Sequence, residues 1–157
     1  MSKELLPICI AGKWRLGQGP EYTTYYPATG EAVASLNAAG PEDVEEAIQG
    51  AQKAFEQSGW PQRKPHERAA VLYRIAERIR AEAEDLAQLQ RLDNGKPISE
   101  TRALVASAAG TFQFFASACE TLEETLTPSR GDYLTLSVYE PMGVVAAITP
   151  WNSPIAS

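Results

Sequence analysis

The chain has 157 residues, of which 44% are hydrophobic and 22% are charged, and its formal net charge at pH 7 is −6. This composition is typical of a globular protein with a sizeable core, and the acidic balance disfavours nucleic-acid binding, which requires a basic face. No apolar run is long enough to span a bilayer, and two cysteines do not make a disulfide framework, so we expect no membrane partner and a cytoplasmic location.

The N-terminal part of the chain predicts a small sheet. β-branched residues, tyrosine and glycine are frequent there, and Ala11-Gly12 and Ala28-Thr29-Gly30 are turn signals. We expect an antiparallel arm with strands over residues 8–14, 22–26 and 32–36.

Three helices are expected to follow the arm. The first begins at Gly40-Pro41, because proline suits the first helical position and acidic residues follow it at the positive end of the helix dipole. The second covers residues 65–92 and is ended by Asp93-Asn94-Gly95-Lys96-Pro97, and the third covers residues 99–122. Apolar residues at helical spacing predict these buried faces: Val44, Ala47, Ala51, Ala54 and Phe55; Leu72, Ile75, Ile79, Ala83, Leu86 and Leu89; Leu104, Val105, Ala108, Phe112, Phe115, Cys119 and Leu122.

Two strands of different character are expected after the helices. Residues 133–139 alternate between apolar and polar side chains, which places Leu134, Leu136 and Val138 on one face. Residues 144–148 are apolar throughout, which predicts a strand buried on both faces. Ligands of open parallel sheets bind at the carboxyl ends of strands, so the residues that follow, Thr149-Pro150-Trp151-Asn152, are predicted to form the wall of a ligand site.

The polar candidates each have a structural alternative. The carboxamide of Asn152 can stabilise an oxyanion, or it can close a turn between Trp151 and Pro154. Trp151 can also be a core residue, and Asp93 can bond nearby N–H groups of its turn. Cys119 lies on an apolar helix face, where cysteine is usually inert, and Cys9 and His66 have no evident catalytic partner.

The segment Gly143-Val-Val-x-x-Ile-Thr-Pro-Trp-Asn-x-Pro resembles the cofactor-site motif of NAD(P)-dependent aldehyde dehydrogenases, with Ser153 where phenylalanine is common. Four other segments resemble that family in the same order. They are Ile10-Ala-Gly-Lys-Trp14, Tyr26-Pro-Ala-Thr-Gly-Glu31, Leu92-Asp-Asn-Gly-Lys-Pro97 and Tyr139-Glu-Pro-Met-Gly143. The resemblance extends over the whole chain and about the first third of the family's length.

The resemblance implies an α/β fold that is the N-terminal part of an aldehyde dehydrogenase. It would contain an antiparallel arm, three helices, an oligomerisation strand and the first strand of a Rossmann-like cofactor domain. Residues 1–126 would be the N-terminal part of the cofactor-binding domain and residues 127–142 the oligomerisation strand. Residues 143–157 would form the first cofactor-site strand and its loop, with the chain ending inside that domain.

The resemblance also implies a function. The parent protein would oxidise an aldehyde to a carboxylic acid with NAD or NADP, through a thiohemiacetal on a cysteine outside this chain. Asn152 would be catalytic, and Ile148, Thr149, Pro150, Trp151 and Asn152 would lie against the cofactor. A monovalent cation would be held by Asp93 and by carbonyl oxygens of Thr24 and Tyr25. The parent would be a homodimer or homotetramer, and the 157-residue chain alone is predicted to be inactive.

Two alternatives stay open from the sequence. One is a catalytically inactive segment, truncated or from a pseudoenzyme, that keeps only the capacity to assemble with a partner. The other is an acidic helical interaction module in which the Pro-Trp-Asn turn is incidental.

Overall fold

The computed structural model describes residues 5–157, so the first four residues of the predicted 1–126 region lie outside it. The fold is of mixed α/β type, as predicted. The strands are Leu5–Leu6 (β1), Ile8–Ile10 (β2), Lys13–Arg15 (β3), Glu21–Tyr25 (β4), Ala32–Asn37 (β5), Thr125–Thr127 (β6) and Thr135–Ser137 (β7). The helices are Pro41–Gln57 (α1), Pro65–Ala81 (α2), Ala83–Asn94 (α3) and Ile98–Thr121 (α4). A short 3-10 helix at Trp60–Gln62 lies between α1 and α2.

The arm is more divided than the sequence suggests. The antiparallel pairing of β4 with β5 confirms part of the prediction, and β1 adds to β5 in parallel. The predicted strand over residues 8–14 is wrong, because Ala11 and Gly12 both have positive φ, 48° and 78°. Two consecutive residues in that conformation make a tight hairpin turn, so the segment folds back as the antiparallel pair β2–β3.

Helix α1 begins at Pro41, as predicted, and Asp43 fixes its N-terminus to the arm. The fully buried Asp43 carboxylate accepts hydrogen bonds from the backbone N–H groups of Gln18 at 2.7 Å and Gly40 at 2.8 Å. Its other oxygen lies 2.6 Å from a guanidinium nitrogen of Arg15 in β3. The N–H groups of Gln18 and Gly40, with the Arg15 charge, lower the pKa of Asp43 below its ordinary value.

The other helices pack together around a shared core. The single helix predicted over residues 65–92 is wrong, because the backbone breaks at Glu82, which ends α2 and precedes α3. The prediction for α4 is confirmed to within one residue at each end. Small side chains let α4 lie close to α2 and α3, and the buried core residues of these helices are Ala69, Ala76, Ile79, Ala87, Val105, Ala108, Ala109 and Ala116.

Several predicted core residues are exposed. Leu89, Phe115 and Leu122 are each more than half exposed, so their assignment to the core is wrong. The α1 face is mostly exposed as well, with Val44 open to solvent and Phe55 only half-buried. Helical periodicity identifies an apolar face but does not say what covers it.

The C-terminal part departs most from the prediction. The strand expected over residues 133–139 shortens to β7, which pairs antiparallel with β6, and the face formed by Leu134, Leu136 and Val138 is exposed. The buried strand expected over residues 144–148 is absent, because none of the strands within residues 5–157 lies beside it to complete its backbone hydrogen bonds.

None of the helices within residues 5–157 combines the length and the apolar character needed to cross a membrane.

Candidate functional site

The predicted ligand-site loop lies at the C-terminal end of α3. Residues 151–156 form consecutive turns, and the N–H of Ser157 donates to the carbonyl of Ser153 at 2.9 Å. Ile155 packs against the core formed by Ile79, Ala87, Val105 and Ala109. The loop is therefore fixed to the helices even though no strand leads into it.

The candidate cofactor wall is open. Ile148 is 98% exposed and Trp151 is 79% exposed, and Thr149, Pro150 and Asn152 are exposed as well. The preceding residues lie along α1, where Gly143, Val144 and Val145 help to line a cavity of about 510 Å³ with Ala51, Ala54, Phe55, Ser58 and Trp60. The five candidate residues thus form a continuous exposed surface.

Asn152 is held through its main chain. The side-chain nitrogen of Asn94, the last residue of α3, donates a hydrogen bond to the carbonyl oxygen of Asn152 at 3.3 Å. From the sequence, Asn94 was predicted only to be part of a helix-ending turn. Its position next to Asp93 gave no indication of this contact, which joins residues 58 positions apart.

The candidate cation ligands come from two elements that pack together. Asp93 is exposed in the last turn of α3, and α3 contacts β4. Thr24 and Tyr25 are in β4 at an irregularity of its register with β5. Arg91 secures this junction, since it donates a hydrogen bond to the Tyr26 hydroxyl at 3.0 Å.

No group of three or more His, Cys, Asp or Glu side chains within residues 5–157 is arranged to hold a metal ion. A cation beside Asp93 would therefore depend on carbonyl oxygens, which suit hard cations. The negative end of the α3 dipole also favours positive charge at this place.

Gln90 was missed by sequence reasoning. It is 4% exposed, and neither atom of its carboxamide has a hydrogen-bond partner within residues 5–157. It lines a cavity of about 330 Å³ together with Leu86, Leu89, Asp93, Pro154 and Ile155. Its spacing of three residues from Asp93 places both on one helix face, but glutamine is usually exposed, so its residue type gives no sequence signal of burial.

A catalytic pairing of Cys9 or Cys119 with His66 finds no support in the arrangement of the described side chains. Cys9 is exposed, Cys119 is half-buried, and both thiols are free. A cavity beside Cys119 is lined by Pro65, Arg68, Cys119, Leu122, Glu124 and Tyr139, and the exposed His66 is not among these residues.

Most of the chain matches a known protein family. The model of the aldehyde dehydrogenase family matches residues 14–157. DhaS of Bacillus subtilis and the mitochondrial aldehyde dehydrogenase family 2 member B4 of Arabidopsis thaliana are 37% and 33% identical to the chain over 138 residues, which are 87% of the chain. The chain spans 28% and 26% of the lengths of these two relatives.

The solved structures agree with the fold. The crystal structure of an NAD-dependent aldehyde dehydrogenase from Sinorhizobium meliloti superposes with a TM-score of 0.91 and 32% identity. The match covers 98% of this chain and 31% of that one.

Proposed function

The chain belongs to the aldehyde dehydrogenase family, and we propose that it is the N-terminal portion of an enzyme that oxidises an aldehyde to a carboxylic acid with NAD or NADP. The family match over residues 14–157 carries this proposal. The solved relative from Sinorhizobium meliloti is NAD-dependent, which supports NAD as the first cofactor to test.

In this proposal Asn152 acts on the reacting carbonyl. When a cysteine thiolate from the rest of the enzyme adds to the aldehyde carbon, the carbonyl oxygen takes up negative charge. A side-chain N–H held near that oxygen stabilises the charge as it develops. Asn152 is accessible for this role because its side chain is exposed while its main chain is tied to α3.

The cofactor wall is proposed to consist of Ile148, Thr149, Pro150, Trp151 and Asn152. Their exposure supports this, because a surface that receives a ligand has to be open in its absence. NAD or NADP, when bound, would supply the hydride acceptor of the oxidation, and these residues would hold it by shape and an apolar contact surface.

A monovalent cation is proposed between Asp93 and the carbonyl oxygens of Thr24 and Tyr25. The contact between α3 and β4, the register irregularity at Thr24 and Tyr25, and the negative end of the α3 dipole all support this. The cation would join the helices to the arm.

The enzyme is also proposed to be a homodimer or homotetramer that uses residues 127–142. The β6–β7 hairpin supports this, because its apolar side chains are exposed within residues 5–157. Its strand β7 also has one edge that pairs with no other described strand.

The test of the proposed function is Asn152→Ala in the full-length polypeptide that carries this segment. We expect turnover at saturating substrate to fall by about 10²–10³-fold, as for other oxyanion donors. Cofactor affinity should stay near that of wild type, because the lost donor acts on the reacting oxygen. Steady-state formation of NADH or NADPH and titration of cofactor binding measure the two quantities, with Ser153→Ala as the control in the same loop.

Two results would contradict the proposal in different ways. Weak cofactor binding with unchanged turnover would make Asn152 part of the cofactor wall instead of a catalytic group. A wild-type full-length protein that forms no reduced cofactor with any aldehyde would favour the alternative, an inactive segment that serves assembly.

A further inference from the structure

We infer that Asn94 is a positioning residue for Asn152, an inference that rests on the proposed function of Asn152 as the oxyanion donor. The observation behind it is the hydrogen bond from the Asn94 side-chain nitrogen to the Asn152 carbonyl oxygen, at 3.3 Å. A hydrogen bond to the main chain of a loop restrains the backbone torsions that direct the side chain of the same residue.

A hydrogen bond to the carboxamide oxygen of Asn94 fixes the orientation of this group. Its oxygen accepts a hydrogen bond from the backbone N–H of Lys96 at 3.1 Å. A backbone N–H can only donate, so the atom that faces Lys96 has to be the oxygen, and the NH₂ group faces Asn152. The side chain therefore has its donor directed at the loop by local geometry.

The helix end that carries Asn94 is itself firmly placed. Gly95 caps α3 with φ +74°, and its N–H donates to the carbonyl of Arg91 at 2.9 Å. A Cβ atom at position 95 would lie 3.0 Å from the Cβ of Pro27, so the connection between β4 and β5 of the arm passes close to this turn. Together with the hydrogen bond from Arg91 to Tyr26, these contacts hold the end of α3 against the arm.

The loop has a second anchor three residues after Asn152. Ile155 packs on the helical core, and Asn94 holds the carbonyl of Asn152. The loop is therefore restrained at two points, Asn152 and Ile155. Without Asn94, the Asn152 carbonyl would be free to rotate while Ile155 stayed in place. Displacement of a catalytic group by about 1 Å costs up to about 10²-fold in rate, so the restraint from Asn94 would affect the rate through the position of Asn152.

The test is Asn94→Asp in the full-length enzyme. Aspartate has the same shape and keeps the acceptor for the Lys96 N–H, but it lacks the donor and places a charged oxygen near the Asn152 carbonyl. We expect kcat to fall about tenfold, with cofactor affinity within about twofold of wild type. The control is Gln113→Glu, which makes the same amide-to-acid change on the surface of α4 beside Arg80.

A second variant covers the case in which Asn94→Asp fails to fold. In Asn94→Ser the hydroxyl can still accept from the Lys96 N–H but is too short to reach Asn152. We expect Asn94→Ser to lose kcat to the same extent as Asn94→Asp, with a thermal unfolding temperature equal to that of the control Gln113→Glu. Wild-type kcat in a folded Asn94→Ser enzyme would overturn the inference.

A double-mutant cycle with Asn152→Ala separates positioning from a general structural effect. If Asn94 acts through Asn152, then Asn94→Asp should cause no further loss of kcat once Asn152 is alanine. An equal fold-loss in both backgrounds would overturn the inference and leave the proposed function standing. Wild-type kcat in Asn152→Ala alone would reject the proposed role of Asn152 and this inference together.

Discussion

Residues 65–121 contain most of the buried apolar side chains of the described chain, whereas no residue of 122–157 is fully buried. In the first region Val105 is 1% exposed, whereas in the second Val145 is 70% exposed. A helix completes most of its backbone hydrogen bonds by itself and needs only another helix to pack against, whereas a strand needs a neighbouring strand. The first region therefore organises itself within the chain, and the second requires a partner surface.

The relatives are longer than this chain, and their additional sequence could supply the partner surface. The chain spans 28% and 26% of two curated relatives and 31% of a solved one, so most of the sequence of each relative has no counterpart here. We propose that residues 144–148 form a buried strand in the full-length enzyme and that the β6–β7 hairpin contacts another subunit.

The largest difference between the two regions is expected when the same charge is placed in each of them. Val105→Asp buries an unpaired carboxylate in the helical core, and we expect it to cost about 4 kcal/mol or more and to remove most of the helical circular dichroism signal of the 157-residue chain. Val145→Asp in the same chain should leave that signal and the unfolding temperature close to wild type.

We expect the difference between Val105→Asp and Val145→Asp to disappear in the full-length enzyme. There we expect Val145→Asp to destabilise by an amount similar to Val105→Asp, because the proposed strand would be buried between neighbours. Near-wild-type stability of Val145→Asp in the full-length enzyme would show that residues 144–148 stay at the surface.

The next largest effect is expected in assembly. Leu136→Asp charges the apolar face of β7, where each side chain would contribute about 1.5–3 kcal/mol on full burial in an interface. We expect the full-length enzyme to dissociate into smaller species in light scattering while its cofactor affinity is kept. Ser137→Asp, on the polar face of the same strand, is the control, and an unchanged oligomer for folded Leu136→Asp would exclude β7 from the interface.

The smallest effect concerns the attachment of α1 to the arm. The folded-state pKa of Asp43 lies below its ordinary value, so its stabilisation is complete above the unfolded pKa and is lost as pH falls through it towards the folded pKa. Asp43→Asn should lower the unfolding temperature at pH 7 and weaken the loss of stability below about pH 4.

Glu46→Gln serves as the control for Asp43→Asn, because Glu46 also pairs with Arg15 but its side chain is 53% exposed. It should change the unfolding temperature less than Asp43→Asn does, since exposed ion pairs contribute little. Equal effects of the two variants would mean that the backbone contacts of Asp43 are unimportant.

Part of the candidate site could be predicted and part could not. The motif around Pro150-Trp151-Asn152 identified the exposed loop, because its chemistry is encoded in consecutive residues. Asn94 and Gln90 were missed because their importance depends on residues more than 50 positions away, which come close only after the helices pack.

The sequence alone was enough to identify the family to which the chain belongs. It also predicted the helix starts at Pro41 and Pro65 and the segment Asp93–Pro97 in which a helix ends. These are local properties, since proline, glycine and the helix dipole act within one or two turns. Three features depend on tertiary packing and were seen only in the structure. The helix after Pro65 breaks at Glu82, Asp43 is buried against the arm, and Asn94 donates a hydrogen bond to Asn152. Those features depend on which helices, strands and loops pack against one another. The hydrophobic periodicity of one segment does not predict its contacts with a distant segment.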